Sequence, residues 1–342
     1  MMKTFIRKIA ILAAIIWAIS AVLYFFSKKN MLTDYTAKVF VEKYTLAPQV
    51  MKHEVCEERR AVYQLILKNK GKHFQNLIIG SSRVMQFGAH TGFDNALNTG
   101  VAGATLKDLE YIVSLIRQNS ITCDTVIFDF NPWYALSETD ERYRQFETGY
   151  RVKSAFLDIV KLDYNEDDLR SLRSTSTVNY YPASQAAINN PGNFIRFPDG
   201  SIKQKVLDVK SRQKRIDQFC KEFYQMKTFT SFDDDAVSDF FRFVNDAFGK
   251  TPKVIMFTPF HPKLFLENKT DIRVENILRV EKRFKDLAAG MNTGLITVSG
   301  SFNPDSADCK VNEAEFVDGF HISETAIKRL FGSRHVAVPS GL

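Results

Sequence analysis

Cysteine is scarce in this chain. Four stand in 342 residues, at Cys56, Cys123, Cys220 and Cys309, and no two form a C-x-x-C pair. That spacing argues against a zinc site and against dithiol redox chemistry. No P-loop, H-E-x-x-H or dinucleotide fingerprint occurs, so three common sources of nucleotide or metal chemistry are missing. No serine lies in G-x-S-x-G, which counts against an α/β-hydrolase. The net charge is +7, but the 46 basic residues are mixed with 39 acidic ones. Without zinc-finger spacing or an arginine-rich tail, nucleic acid is not an expected partner, and a membrane surface explains the mild basicity better. The acidic run at 233–235 reads as the start of a helix, where negative charge complements the dipole, and not as a metal site. Neither a metal nor an organic cofactor is implied.

Long apolar runs are scarce too, with one exception. The stretch "FIRKIAILAAIIWAISAVLYFFSKKN" carries no charge from Ile9 to Phe26, about the length that a bilayer core asks of a helix. Arg7 and Lys8 flank it on one side, Lys28 and Lys29 on the other, and Trp17, Tyr24 and Phe25 suit a membrane span. A cleavable signal peptide is the rival reading, given Ala18, Ser20 and Ala21. The apolar run continues through "VLYFF", so an uncleaved single-pass anchor is expected over residues 1–29. The short head then stays in the cytoplasm and the body is exported, where disulfides are permitted. Residues 30–73 read as a stalk and lead-in helix.

From residue 76 onward two periods alternate. "NLIIG", "ALNTG", "DTVIFDF", "KVIMFTPF" and "GLITVSG" are short apolar runs that end in turn residues, and so predict strands. Between them lie helical stretches. "TLKDLEYIVSLIRQ" puts Leu109, Ile112, Val113 and Ile116 on one face behind a Thr105–Asp108 capping box. "AVSDFFRFVNDAFG" and "VENILRVEKRFKDLAAG" follow, and "SETAIKRLFG" closes the series with Ser323 as its N-cap. Such alternation predicts an α/β fold with a parallel sheet covered on both faces. Roughly residues 134–232 break the pattern. A structureless loop of that length is improbable in a compact domain, so they read as an inserted subdomain over the strand ends.

Ligands of such folds bind beyond the carboxyl ends of the strands. There the sequence reads Gly80-Ser81-Ser82-Arg83, then Gly100 to Gly103, then Asn131-Pro132-Trp133, then His261 between prolines, and last Asp318 to His321. A serine nucleophile needs an imidazole to take its proton and a carboxylate to orient that imidazole. Ser82, His321 and Asp318 supply those types, the last two from one short loop. The Ser82 and Gly103 N–H groups are the natural oxyanion donors. Arg83 either binds an anionic substrate or pairs with a core carboxylate such as Asp129. His261 either lines the pocket or serves the structure. A plain turn at Ser81-Ser82 is the bland alternative.

On these residues the chain resembles the SGNH (GDSL-like) hydrolase superfamily. Gly80-Ser81-Ser82 matches its first block, with Ser81 replacing the usual Asp. Asn98, Gly100 and Gly103 match its second, N-x-G-x-x-G, and Asp318 and His321 match its D-x-x-H. The third block, G-x-N-D, is replaced by "FDFNPW", where Asn131 lies nearest to the expected oxyanion donor. The resemblance covers about residues 74–335 without the insertion. It implies catalysis by Ser82, His321 and Asp318, an oxyanion hole of Gly103 with Asn131, and substrate contacts from Arg83, Asn98 and His261. The serine-serine variant and the N-terminal anchor look like the membrane-anchored branch, which serves bacterial teichoic acid and polysaccharide acylation. That branch implies an inner-membrane protein with its body outside the cytoplasm. It also implies an acylated envelope glycan or acyl carrier as substrate, and a membrane acyltransferase as partner. An inactive binding or assembly protein of the same fold is the alternative of a different class. A lipase or thioesterase is a further one.

Overall fold

In the computed structural model the described residues are 2–26, 31–51, 56–135, 141–146, 180–226, 228–266, 270–290, 295–307 and 310–332. Their strands, numbered in chain order, are β1 (Gln49–Met51), β2 (His73–Ile79), β3 (Ala96–Asn98), β4 (Thr122–Asp129), β5 (Tyr180–Pro182), β6 (Phe194–Arg196), β7 (Ile202–Lys203), β8 (Lys253–Phe257) and β9 (Ile296–Gly300). Five of them form a parallel sheet in the order β3-β2-β4-β8-β9. This is the expected α/β architecture, and each expected strand is present.

The continuous apolar runs have the reason anticipated for them: the sheet is covered on both faces. Leu77, Ile79, Val126, Phe128, Ile255 and Phe257 point into one core. Their neighbours Ile78, Ile127, Val254 and Met256 point into the other. The larger core receives the helices α3 (Glu58–Lys68) and α4 (Leu106–Gln118), together with Val209–Phe223, Asp234–Asp246 and Ile272–Gly290. The smaller core receives the last helical stretch, through Ala326, Ile327 and Phe331. Helix α4 starts where the capping box puts it. Thr105 N donates to Asp108 Oδ2 at 2.8 Å and Asp108 N donates back to Thr105 Oγ1 at 3.3 Å. Phe130 anchors an aromatic cluster in the larger core, with ring centroids 4.8 Å from Phe240, 5.0 Å from Phe284 and 5.3 Å from Phe257.

Counted along the chain, the parallel sheet has the order 2-1-3-4-5, so its strand order reverses between β2 and β4. A crevice opens at such a switch point, beyond the carboxyl ends. Gly80 to Arg83 leave β2 there, and Phe130 to Trp133 leave β4 beside them.

A second sheet, antiparallel, has the order β5-β1-β6-β7. Its central strand β1 comes from the segment before the α/β body. The other three come from the inserted region. Helix α2 (Met31–Tyr44) leads into it and buries Phe40, Val41 and Tyr44 against α3, in the same core as the parallel sheet. The segment read as a stalk is therefore packed against the body. Of the expected insertion, residues 136–140, 147–179 and 227 lie outside the described residues, as does Cys309.

The N-terminal apolar run forms a helix, α1 (Met2–Phe26). Its described side chains extend from Ile6 to Ile19 and are exposed. Among the described residues no helix is long and apolar enough to cross a membrane, so the fold does not itself support the expected span.

Candidate active site

The site begins with the turn after β2. Ser82 Oγ lies 3.0 Å from His321 Nε2, and His321 Nδ1 lies 2.8 Å from Asp318 Oδ2. An ionised carboxylate only accepts, so Nδ1 carries the proton and Nε2 accepts from the serine hydroxyl. Burial works against the charged form of Asp318. The His321 charge and hydrogen bonds from His321 and Phe320 more than offset it, and hold the carboxyl below its ordinary value. Its Oδ1 accepts from the backbone N–H of Phe320 at 3.0 Å and of His321 at 2.9 Å, which fixes the loop upon itself. The sequence placed Ser82 at one strand end and Asp318 and His321 together on another loop, and the fold joins them in one hydrogen-bonded chain.

Each loop is held in place by other parts of the body. Ser81 turns inward, where its hydroxyl donates to Asp129 Oδ2 and its N–H donates to the same oxygen at 3.2 Å. Burial pushes the Asp129 carboxyl up, against the Arg83 charge and the Ser81 bonds. Gln86 Nε2 donates to Ile322 O at 3.1 Å and ties the serine turn to the histidine loop. Gly319 is required by close approach. A Cβ there would lie 1.9 Å from Phe219 Cδ1, on the helix Val209–Phe223 of the insertion.

Beside the serine turn runs the loop after β3. Thr99 N donates to Ile78 O at 2.8 Å and Val101 N to Gly80 O at 3.0 Å, which continues the β2–β3 pairing past the strand ends. That register carries the loop on to Ala102, which lines the same cavity as Ser82; Gly103 is not among the lining residues. Among the described residues neither the Ser82 nor the Gly103 N–H donates to a protein acceptor, as an oxyanion hole requires.

Ser82, Asp318 and His321 line a cavity of about 510 Å³, a size ordinary for a small-ligand site. Its far wall comes from the lead-in segment and the insertion: Phe40, Met51, Glu58, Phe194, Arg196, Ile202, Gln204 and Arg215. Residues of the expected insertion thus share a cavity with Ser82.

Four expected site residues are placed otherwise. Asn131 is not aimed at the cavity: its Nδ2 donates to Ser81 Oγ at 3.3 Å and its Oδ1 accepts from Trp133 N at 3.2 Å. Arg83 is only 2% exposed. It grips the carbonyls of Thr258 and Pro259 and lies 4.4 Å over the Phe260 ring, so it joins the loops after β2 and β8. Asn98 is buried and donates to Val84 O and Phe87 O, both at 2.7 Å, which braces the turn behind Ser82. His261 is buried as well. Its N–H donates to Gly319 O at 2.9 Å, its Nδ1 accepts from Lys263 N at 3.1 Å, and burial lowers its pKa. It therefore holds the histidine loop through the backbone.

No known family model matches this chain, and no curated protein does. Some residues around the site escaped the sequence reading. Glu58 and Arg59 begin α3 and reach the Ala102–Gly103 loop, and Arg142 reaches the same loop from the insertion. Their only signal in the sequence is charge at a helix start or in a loop.

Proposed function

We propose that this chain is an SGNH-like serine esterase or O-acyltransferase. The observation that carries the reading is the hydrogen-bonded series Ser82–His321–Asp318 at the mouth of a cavity, beyond the carboxyl ends of a parallel sheet. Ser82 Oγ attacks the acyl carbonyl while its proton passes to His321 Nε2. The negative charge that develops on the carbonyl oxygen is received by the Ser82 and Gly103 N–H groups. His321 returns the proton to the departing alkoxide, which leaves an acyl-Ser82 ester. Water or a second hydroxyl then attacks that ester by the same route.

The substrate class we favour is an acylated cell-envelope glycan or its acyl carrier, on the strength of the motif resemblance. The body then works outside the cytoplasm of a bacterium, tethered by α1 and served by a membrane acyltransferase. Exposed Ile9, Leu12, Ile15, Ile16 and Trp17 on α1 support a helix that rests against lipid. A non-catalytic binding protein of the same fold is favoured by one observation: neither expected oxyanion residue, Gly103 or Asn131, is among those that line the cavity, and the Asn131 amide is engaged with Ser81.

Fluorophosphonate labelling of the full chain in detergent separates these readings. Labelling that disappears in Ser82→Ala and in His321→Ala supports the esterase. A folded wild type that stays unlabelled favours the binding protein.

A further inference from the structure

The start of α3 is built into the oxyanion loop. Glu58 Oε2 accepts from Ala102 N at 2.5 Å, and its Oε1 lies 3.3 Å from Arg196 Nη2 on β6. Its neighbour Arg59 is buried and forms a bidentate pair with Asp108 at 2.7 and 2.9 Å. From there Arg59 Nη2 donates to Gly103 O at 3.3 Å. Arg142 Nη2 donates to the same carbonyl at 3.0 Å. Gly103 itself has φ +56°, which side chains disfavour, and a Cβ there would meet Arg142 Nη2 at 3.0 Å. The loop is thus held from two sides. Its Ala102 N–H and Gly103 C=O are claimed, and the Gly103 N–H between them is left for a ligand.

We infer that Glu58 is a positioning residue for the reaction: its carboxylate holds the Ala102 peptide so that the next N–H, that of Gly103, faces the oxygen of the Ser82 adduct. This rests on the esterase reading. The Gly103 N–H shares its rigid peptide plane with the Ala102 carbonyl, which Arg59 Nη2 approaches at 3.5 Å, while Glu58 holds the peptide before it and Arg59 and Arg142 hold the one after. Preorganisation of this kind is what gives an oxyanion donor its effect, because nothing then reorients as charge develops. Towards the loop Glu58 acts only as an acceptor, and the oxygen of a glutamine keeps that contact while its NH2 group gives up the one to Arg196. The Arg196 contact adds a second consequence. It ties the oxyanion loop to the second sheet, so the roof of the cavity and the catalytic donors are set together.

The test compares Glu58→Gln with Glu58→Met in the full chain, using p-nitrophenyl acetate as the ester. Glutamine keeps an acceptor for the Ala102 N–H, and methionine does not. Glu58→Met is expected to lower kcat by about tenfold to a hundredfold with KM unchanged, below the full loss of an oxyanion donor. Glu58→Gln is expected to retain a third or more of wild-type kcat. The Ala102 amide resonance, read in alanine-labelled protein, should move in the Met variant and stay near its wild-type position in the Gln variant. Wild-type kcat in Glu58→Met overturns the inference, and so does a Gln variant as slow as the Met variant. If hydrolysis by wild type equals that by Ser82→Ala, it is the esterase reading that fails. The amide then decides the loop contact alone, and an unmoved resonance in Glu58→Met overturns it.

Discussion

The serine turn and the histidine loop contribute equally to the site, yet they are built in opposite ways. The histidine loop is largely self-contained. Asp318 accepts from two N–H groups of its own loop and from the ring it orients, all within three residues. The serine turn depends on distant parts of the chain. Asp129 holds Ser81 from β4, Asn98 braces Val84 and Phe87 from β3, and Arg83 reaches across to Thr258 and Pro259. A loop that fixes itself leaves a signature in adjacent letters. A turn fixed from elsewhere does not.

The largest effect should fall where the two meet. Ser82→Ala and His321→Ala are each expected to cut ester turnover by about 10⁴-fold or more with little change in stability, as steady-state kinetics beside thermal melts would show. Retained turnover in either would dissolve the pairing of the two loops. Asp318→Asn comes next, with a loss of about 10³- to 10⁴-fold in kcat, because an amide no longer enforces the tautomer. The same variant tests the pH limb. A carboxyl held below its ordinary value contributes stability that is complete above its unfolded pKa and is lost as pH falls through the folded one. The wild-type advantage over Asn should therefore persist at neutral pH and fade below about pH 4 in acid melts.

Gly319→Ala probes how self-contained the histidine loop is, since Gly319 packs closely against Phe219 of the insertion. The added methyl should cost about 1–3 kcal/mol and displace His321, and Phe219→Ala in the same chain should restore part of both. No restoration would mean that the loop is strained from within. Arg83→Met sharpens the contrast from the other side. Two carbonyls lose a buried donor, and we expect a loss of about 2–4 kcal/mol in urea unfolding together with weakened turnover, although Arg83 is not one of the cavity-lining residues. The smallest effect is expected of Asp129→Asn. A carboxyl whose pKa is raised by burial makes the folded state less stable as pH climbs above the unfolded value near 4. Replacing it with an amide should flatten stability between about pH 4 and 7, as melts across that range would reveal.

The fold was largely legible in the sequence for the same reason that the histidine loop was. Strands buried on both faces announce themselves as apolar runs, and Thr105–Asp108 marks a helix start within four letters. Ser82, Asp318 and His321 could be named because chain order and strand ends constrain them. Asn131 was expected as an oxyanion donor, and Arg83, Asn98 and His261 as substrate contacts with a structural role left open for Arg83 and His261, since each lies at a strand end. The distinction between facing the crevice and bracing it lies in side-chain direction, which depends on partners up to 176 residues away. Glu58 was illegible for a related reason. An acidic residue at the start of a helix already has a sufficient local explanation in the helix dipole, and its second task appears only once β3 and α3 are side by side.

The central strand of the small antiparallel sheet carries one more consequence. β1 spans residues 49–51, while the strands on either side of it arrive only after residue 179. The roof of the cavity therefore cannot close until most of the chain has been made, and its pairing is among the most sequence-distant in the molecule. Contacts of that kind form late and slowly. A shortened chain that begins after residue 51 would lose the strand to which both neighbours bond, and the inserted region would be left without its middle. The lead-in segment and the insertion are thus one structural inheritance: a relative that lost either would have to lose or rebuild the other, and with it the cavity wall that they share with Ser82.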